Sequence, residues 1–189
     1  MKPTYSGFEA KKNSFSTLPP AGAYVAEIKG VRTEPSYNND REVIVCMVEI
    51  TEGEYAGQYH KVFEDQQSRF GKDVKYKGVY KITPYLEGDE TWVRSRFESA
   101  LWCVEQSNPG YHWDWDETKL KGKKIGINIR NSIYYASDGS EKTTTEIGQF
   151  ETVDDVRNGN CRTLKNRVQK KRGEETQFTE VSNDVEVPF

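Results

Sequence analysis

Hydrophobic and polar positions alternate in the first third of this chain. GAYVAEIKGVRTE, residues 22–34, places Tyr24, Ala26 and Ile28 on one face and Val25, Glu27 and Lys29 on the other. That period of two predicts a half-buried strand. The turn-forming PSYNND (35–40) leads into REVIVCMVEITEG (41–53), where Ile44, Cys46, Val48 and Ile50 form a second buried face. GEYAGQYHKVFED (53–65) offers a third strand near residues 58–64, with Tyr59, Lys61 and Phe63 to one side. The period then changes. In ETWVRSRFESALWCVEQ (90–106), Val93, Phe97, Ala100, Leu101 and Val104 recur at helical spacing, with Asp89 or Thr91 as cap and Asn108-Pro109-Gly110 as stop. Two strands follow, KKIGINIRNSIYY (123–135) and EKTTTEIGQFETV (141–153), joined through the hairpin turn Ser137-Asp138-Gly139-Ser140.

Three strands, a helix and two strands is the connectivity of the OB-fold, a five-stranded Greek-key barrel with its helix between strands 3 and 4. An all-β sandwich with one incidental helix gives the same string. The expectation is a mainly β chain built on the barrel, with a flexible acidic C-terminal tail.

Charge divides the chain further. The last 17 residues hold Glu174, Glu175, Glu180, Asp184 and Glu186 without a Lys or Arg, so a net charge of −3 leaves +2 on residues 1–172. VRNGNCRTLKNRVQKKR (156–172) carries seven basic residues and no acid. The organisation expected is an N-terminal arm (1–20), a barrel domain (21–156), a basic segment (157–172) and an acidic tail (173–189). The low pI of 5.6 therefore does not exclude a polyanionic ligand. Three cysteines at wide spacing predict free thiols in a reducing compartment. No run reaches the roughly 20 apolar residues of a membrane span, and the N-terminus lacks a signal peptide's apolar centre, so a cytoplasmic protein is expected.

A barrel that binds a single strand needs cations for phosphates and aromatic faces for bases. Tyr59, Lys61 and Phe63 supply both types, though a core position for the two rings is the competing reading. RFGKDVKYKGVYK (69–81) interleaves Arg69, Lys72, Lys75, Lys77 and Lys81 with Phe70, Tyr76 and Tyr80, either as a nucleic-acid-binding ribbon or as a hairpin whose lysines protect a sheet edge. In the fourth strand Lys124, Asn128 and Arg130 alternate against three isoleucines, with Tyr134 near the end. Lys29, Arg32 and Arg41 of the first hairpin complete the candidate DNA-binding set.

Enzyme signatures are thin. His60 and His112 stand at no metal-site spacing, and no glycine-rich phosphate loop is present, so neither a metal nor another cofactor is expected. Asp114, Asp116 and Glu117 cluster in YHWDWDE; they fit either Mg²⁺-dependent phosphodiester cleavage or an acidic loop whose tryptophans cover the barrel end.

LPPAGAYVAEI, VEITEGEYAGQYHKVF, SNPGYHWDWDETKLKGKKIG and DDVRNGN resemble a family of phage-encoded single-stranded-DNA-binding proteins of OB-fold type, from phages of Gram-positive bacteria. The resemblance implies a non-enzymatic role in phage DNA replication or recombination, in the bacterial host's cytoplasm. A protein-interaction module without DNA binding is the alternative from another class. The end of the chain is similar to that of bacterial single-stranded-DNA-binding proteins, whose acidic tail closes in an apolar tip. Asp184, Glu186, Val187, Pro188 and Phe189 occupy the corresponding places, although Val187 stands where an isoleucine is usual and Val185 interrupts the acids. This second resemblance implies docking of a replication or recombination enzyme (helicase, recombinase, nuclease or polymerase) on the tip. Homo-oligomerisation is left open, and no membrane partner is implied.

Overall fold

The computed structural model describes residues 15–37 and 40–169. Strands β1 (Gly22–Pro35) and β2 (Glu42–Ile50) form the expected hairpin, and helix α1 (Gln58–Phe70) follows. Strand β3 (Val79–Ile82) and helix α2 (Thr91–Ser107) come next, then a short 3-10 turn at Glu117–Leu120. Strands β4 (Lys124–Tyr135) and β5 (Glu141–Glu151), helix α3 (Val153–Asn158) and the two-residue β6 (Arg167–Val168) complete the order. No helix among the described residues is long and apolar enough to cross a membrane.

The protein is mainly sheet. Of the six strands among the described residues, five run antiparallel in the order β3-β2-β1-β4-β5, and the sixth, β6, pairs in parallel with β4. Because β1 starts at Gly22 opposite Ile129, the far half of β4 has a free edge, which β6 fills at Ser132 and Ile133. The hydrogen-bonded order is open at β3 and β5. Those two edges meet only through side chains, with the rings of Tyr80 and Phe150 4.4 Å apart between centroids.

Alternation builds the core. Ala26 and Ile28 of β1, Ile44, Cys46, Val48 and Ile50 of β2, and Ile125, Ile127 and Ile129 of β4 turn to one side, and Phe97, Ala100, Leu101 and Val104 of α2 cover them. Burying each large aliphatic side chain contributes roughly 1.5–3 kcal/mol, so this face sets the register of every strand. Cys46, Cys103 and Cys161 are free thiols, and burial pushes Cys46 and Cys103 up to about 12.

Three expectations are corrected. Residues 58–64 are helix, not a third strand, and strand 3 lies instead at Val79–Ile82, inside the segment read as a solvated ribbon. Two helices beyond the expected one are present. Helix α3 carries a local signal: Thr152 Oγ1 accepts from the Asp155 amide (3.0 Å), and Gly159 (φ 70°) ends the helix. Helix α2 starts where expected, but Asp89 does not cap it. Asp89 instead accepts from Arg41 and from the Leu86 amide (2.6 Å).

Candidate nucleic-acid interface

A buried carboxylate meets the start of helix α1. Glu49, at the end of β2, is 8% exposed. Its Oε1 accepts from the amides of Ile50 (3.0 Å) and Tyr59 (3.1 Å), and its Oε2 from the His60 amide (2.6 Å) and the Tyr76 hydroxyl (2.9 Å). Tyr59 and His60 are in the first turn, where amides lack intrahelical partners and the helix dipole favours an anion. Tyr59 and Val62 then point into the core, and Tyr59 and Phe63 share a helix face with Lys61 turned away into solvent. The same spacing that reads as a strand at period two reads as a helix at i, i+4.

The connection from α1 to β3 is pinned at Tyr76. Its hydroxyl donates to Val48 O and Glu49 (2.9 Å each), and its ring packs against Tyr59 and Phe63, at 6.2 and 5.8 Å between centroids. Burial first, and then the Glu49 charge, push its phenol well above the ordinary tyrosine range. Gly78 brings the chain down beside the sheet: a Cβ there would lie 2.5 Å from Val48 O. Around these anchors Phe70 stands 75% exposed, and Lys72, Lys75 and Lys77 are exposed with no carboxylate partner among the described residues. Arg69 bonds Asp65 (3.2 Å) and lies over the Phe15 ring, 4.0 Å from its centroid.

The outer face of β1, β2 and β3 holds the other early candidates, and there they are paired. Lys29 meets Glu27 at 2.8 Å. Glu34 bonds both Lys81 and Arg32, and the lysine first, then the arginine, hold its carboxyl below the usual range. Arg41 has a side chain only 14% exposed, bonded to Asp40, Asp89 and the Pro84 carbonyl. It is a clamp between β2 and the loop before α2, not a free phosphate ligand. Arg41 holds the Asp40 carboxyl down at about 2, with the Ser36 hydroxyl assisting.

Tyr59 and Tyr80, expected to stack on bases, are core residues at 2% and 8% exposure. On β4, Lys124 is exposed and Tyr134 half-buried, while Arg130 pairs with Glu146 at 2.8 Å. Asn128, assigned to a polar outer face, is buried; its Nδ2 donates to Glu151 Oε1 and to the Arg162 carbonyl, each at 2.9 Å. Asp114 pairs with Lys119, and Asp116 accepts from the Thr118 amide at 3.1 Å. Among the described residues no group of three His, Cys, Asp or Glu side chains converges as a metal site would require.

Sequence reading missed a groove of about 820 Å³ along the gap between β3 and β5, walled by α2 on one side and residues 162–165 on the other. Arg96, Arg130, Arg162 and Lys165 line it beside the half-exposed Trp102. The signal available was faint, since Arg96 is one cation on an amphipathic helix and Arg162 and Lys165 belong to a stretch legible only as generally basic. The tip residues Asp184, Glu186, Val187, Pro188 and Phe189 lie outside the described residues. No family model and no curated protein matches the chain.

Proposed function

We propose that this chain is a non-enzymatic, sequence-nonspecific single-stranded-DNA-binding protein of phage replication or recombination, acting in the bacterial host's cytoplasm. One observation carries the reading: the end of α1 and the connection to β3 display Phe70 and three lysines without carboxylate partners among the described residues, on a loop held by Glu49, Tyr76 and Gly78. Cations that follow a backbone and an unshielded ring are what a single strand needs from a protein. We read the sheet as an OB barrel: β1 lies between β2 and β4, the principal helix sits between β3 and β4, and Tyr80 against Phe150 completes the circuit where hydrogen bonds do not. In this reading the acidic tail presents Phe189 to a replication or recombination enzyme.

The test is fluorescence anisotropy with one labelled oligonucleotide, single-stranded and as duplex, across a salt series. The single strand should bind more tightly, with log K falling by about 0.7 per phosphate contacted for each decade of salt. Phe70→Ala should weaken binding by about 1–3 kcal/mol if the ring stacks. Binding indifferent to salt, or favouring duplex, refutes the assignment.

A further inference from the structure

We infer that the groove along the β3–β5 gap is a second nucleotide-binding site, in which Arg96, Arg162 and Lys165 hold successive phosphates of a single strand and Trp102 stacks on a base. The inference rests on the single-strand-binding reading and adds a second path for the strand, across the sheet's opening and away from the α1–β3 connection.

Charge is the first ground. Four cations line the groove against one carboxylate, Glu151, and that carboxylate is engaged by the side-chain amides of Asn128 and Gln149. Arg96, Arg162 and Lys165 have no carboxylate partner among the described residues; Arg162 bonds only the Gln149 carbonyl oxygen, at 3.1 Å. Arg130 shares Glu146 with Arg167, so one acid serves two guanidiniums. On the outer face of β1, β2 and β3 the cations are paired. Here they are left over, which leaves uncompensated positive charge between two walls.

Construction is the second ground. The 162–165 wall is fixed by the buried Asn128, which holds the Arg162 carbonyl. It is also fixed by Leu164, whose Cδ1 lies so close to Gly148 that a Cβ there would meet it at 2.5 Å. The opposite wall is a stripe of α2. Ser95, Ser99 and Trp102, at i, i+4 and i+7 on the exposed side of the helix, line the groove. Arg96 and Arg130 stand on α2 and β4, and the Arg162 backbone is tied to β4 through Asn128, which lowers the ordering cost of binding. Three of the four are arginines, whose planar fork matches phosphate oxygens in pairs. Trp102, 54% exposed at the rim, supplies the aromatic face. A ligand with one negative charge and one flat apolar group per repeat fits this lining better than an acidic peptide does.

The experiment compares three forms of the full chain, wild type, Arg96→Ala/Arg162→Ala/Lys165→Ala, and Lys72→Ala/Lys75→Ala/Lys77→Ala, by anisotropy with labelled oligothymidylate. The groove variant should bind roughly tenfold or more weakly and lose about 2 from its salt slope, as three fewer phosphate contacts require. Trp102→Phe should remove oligonucleotide-induced quenching of tryptophan emission with the melting temperature unchanged. Should the triple variant not fold, Lys165→Glu alone carries the same direction. If wild type fails to bind, the single-strand reading falls and the inference with it. If wild type binds and only the lysine variant weakens, the reading stands and the inference is overturned. A groove variant that keeps oligonucleotide affinity but loses a labelled peptide of residues 181–189 also overturns it, and makes the groove a carboxylate-docking site.

Discussion

Replacing Glu49 by alanine tests whether one buried carboxylate organises the whole α1 side of the molecule. Four donors converge on it, three of them main-chain amides and one the Tyr76 hydroxyl, which keeps the Val48 carbonyl as a second partner. Leaving each of the three amides without its charged acceptor costs about 1 kcal/mol or more, and losing the anion at the helix start adds about 0.5–1 kcal/mol. The expected destabilisation is about 4 kcal/mol, which lowers the melting temperature of a domain this size by roughly 10 °C. Glu49→Gln should cost about half as much: it keeps one acceptor oxygen for Ile50 and Tyr59 but sets an amide donor against the His60 N–H, a buried donor left unmet at about 1–3 kcal/mol. Thermal melts followed by circular dichroism, with chemical denaturation to extract the free energies, give both numbers. A melting temperature within about 2 °C of wild type for the alanine variant would show that α1 stands on its apolar face alone.

Two further outcomes follow from the tyrosines and the tail. Burial, reinforced by the Glu49 charge, raises the phenols of Tyr59 and Tyr76 above their ordinary value. A raised folded value means that the stabilisation is complete below the unfolded pKa of about 10 and is lost as pH climbs towards the folded one. Melting temperature should therefore stay level to about pH 9.5 and fall steeply above it; a curve flat to pH 11 would contradict the buried environment of both rings. Deleting Phe189 should leave melting temperature and oligonucleotide affinity unchanged while abolishing co-purification of a replication or recombination enzyme. A drop of several degrees, where 1 kcal/mol corresponds to about 2–4 °C, would make the residue part of the core instead.

Local order was legible wherever one side chain pattern has one structural meaning. The alternation in β1, β2 and β4 and the heptad-like spacing of α2 each bury a face, and burial is decided by residues a few positions apart. Asp138-Gly139 specified its hairpin because a tight turn needs a positive φ, and Gly139 adopts φ 80°. The spacing of Tyr59, Lys61 and Phe63 could not decide between strand and helix. Positions four apart share a face in both, and the arbiter is Glu49, ten residues earlier, whose carboxylate reaches the first-turn amides only once β2 has folded against β1. Likewise Tyr76 and Tyr80 sit in one run of lysines, yet the first is a half-buried anchor and the second a core residue, because β3 adds to the edge of β2 with Tyr80 opposite Cys46. Which cations stay without a carboxylate is largely tertiary. Arg41 has a carboxylate beside it in the sequence, Asp40, but only the fold brings it Asp89, while Arg96 meets no carboxylate among the described residues. Charge pairing depends on distances of a few ångströms between segments tens of residues apart, and only the folded chain sets those.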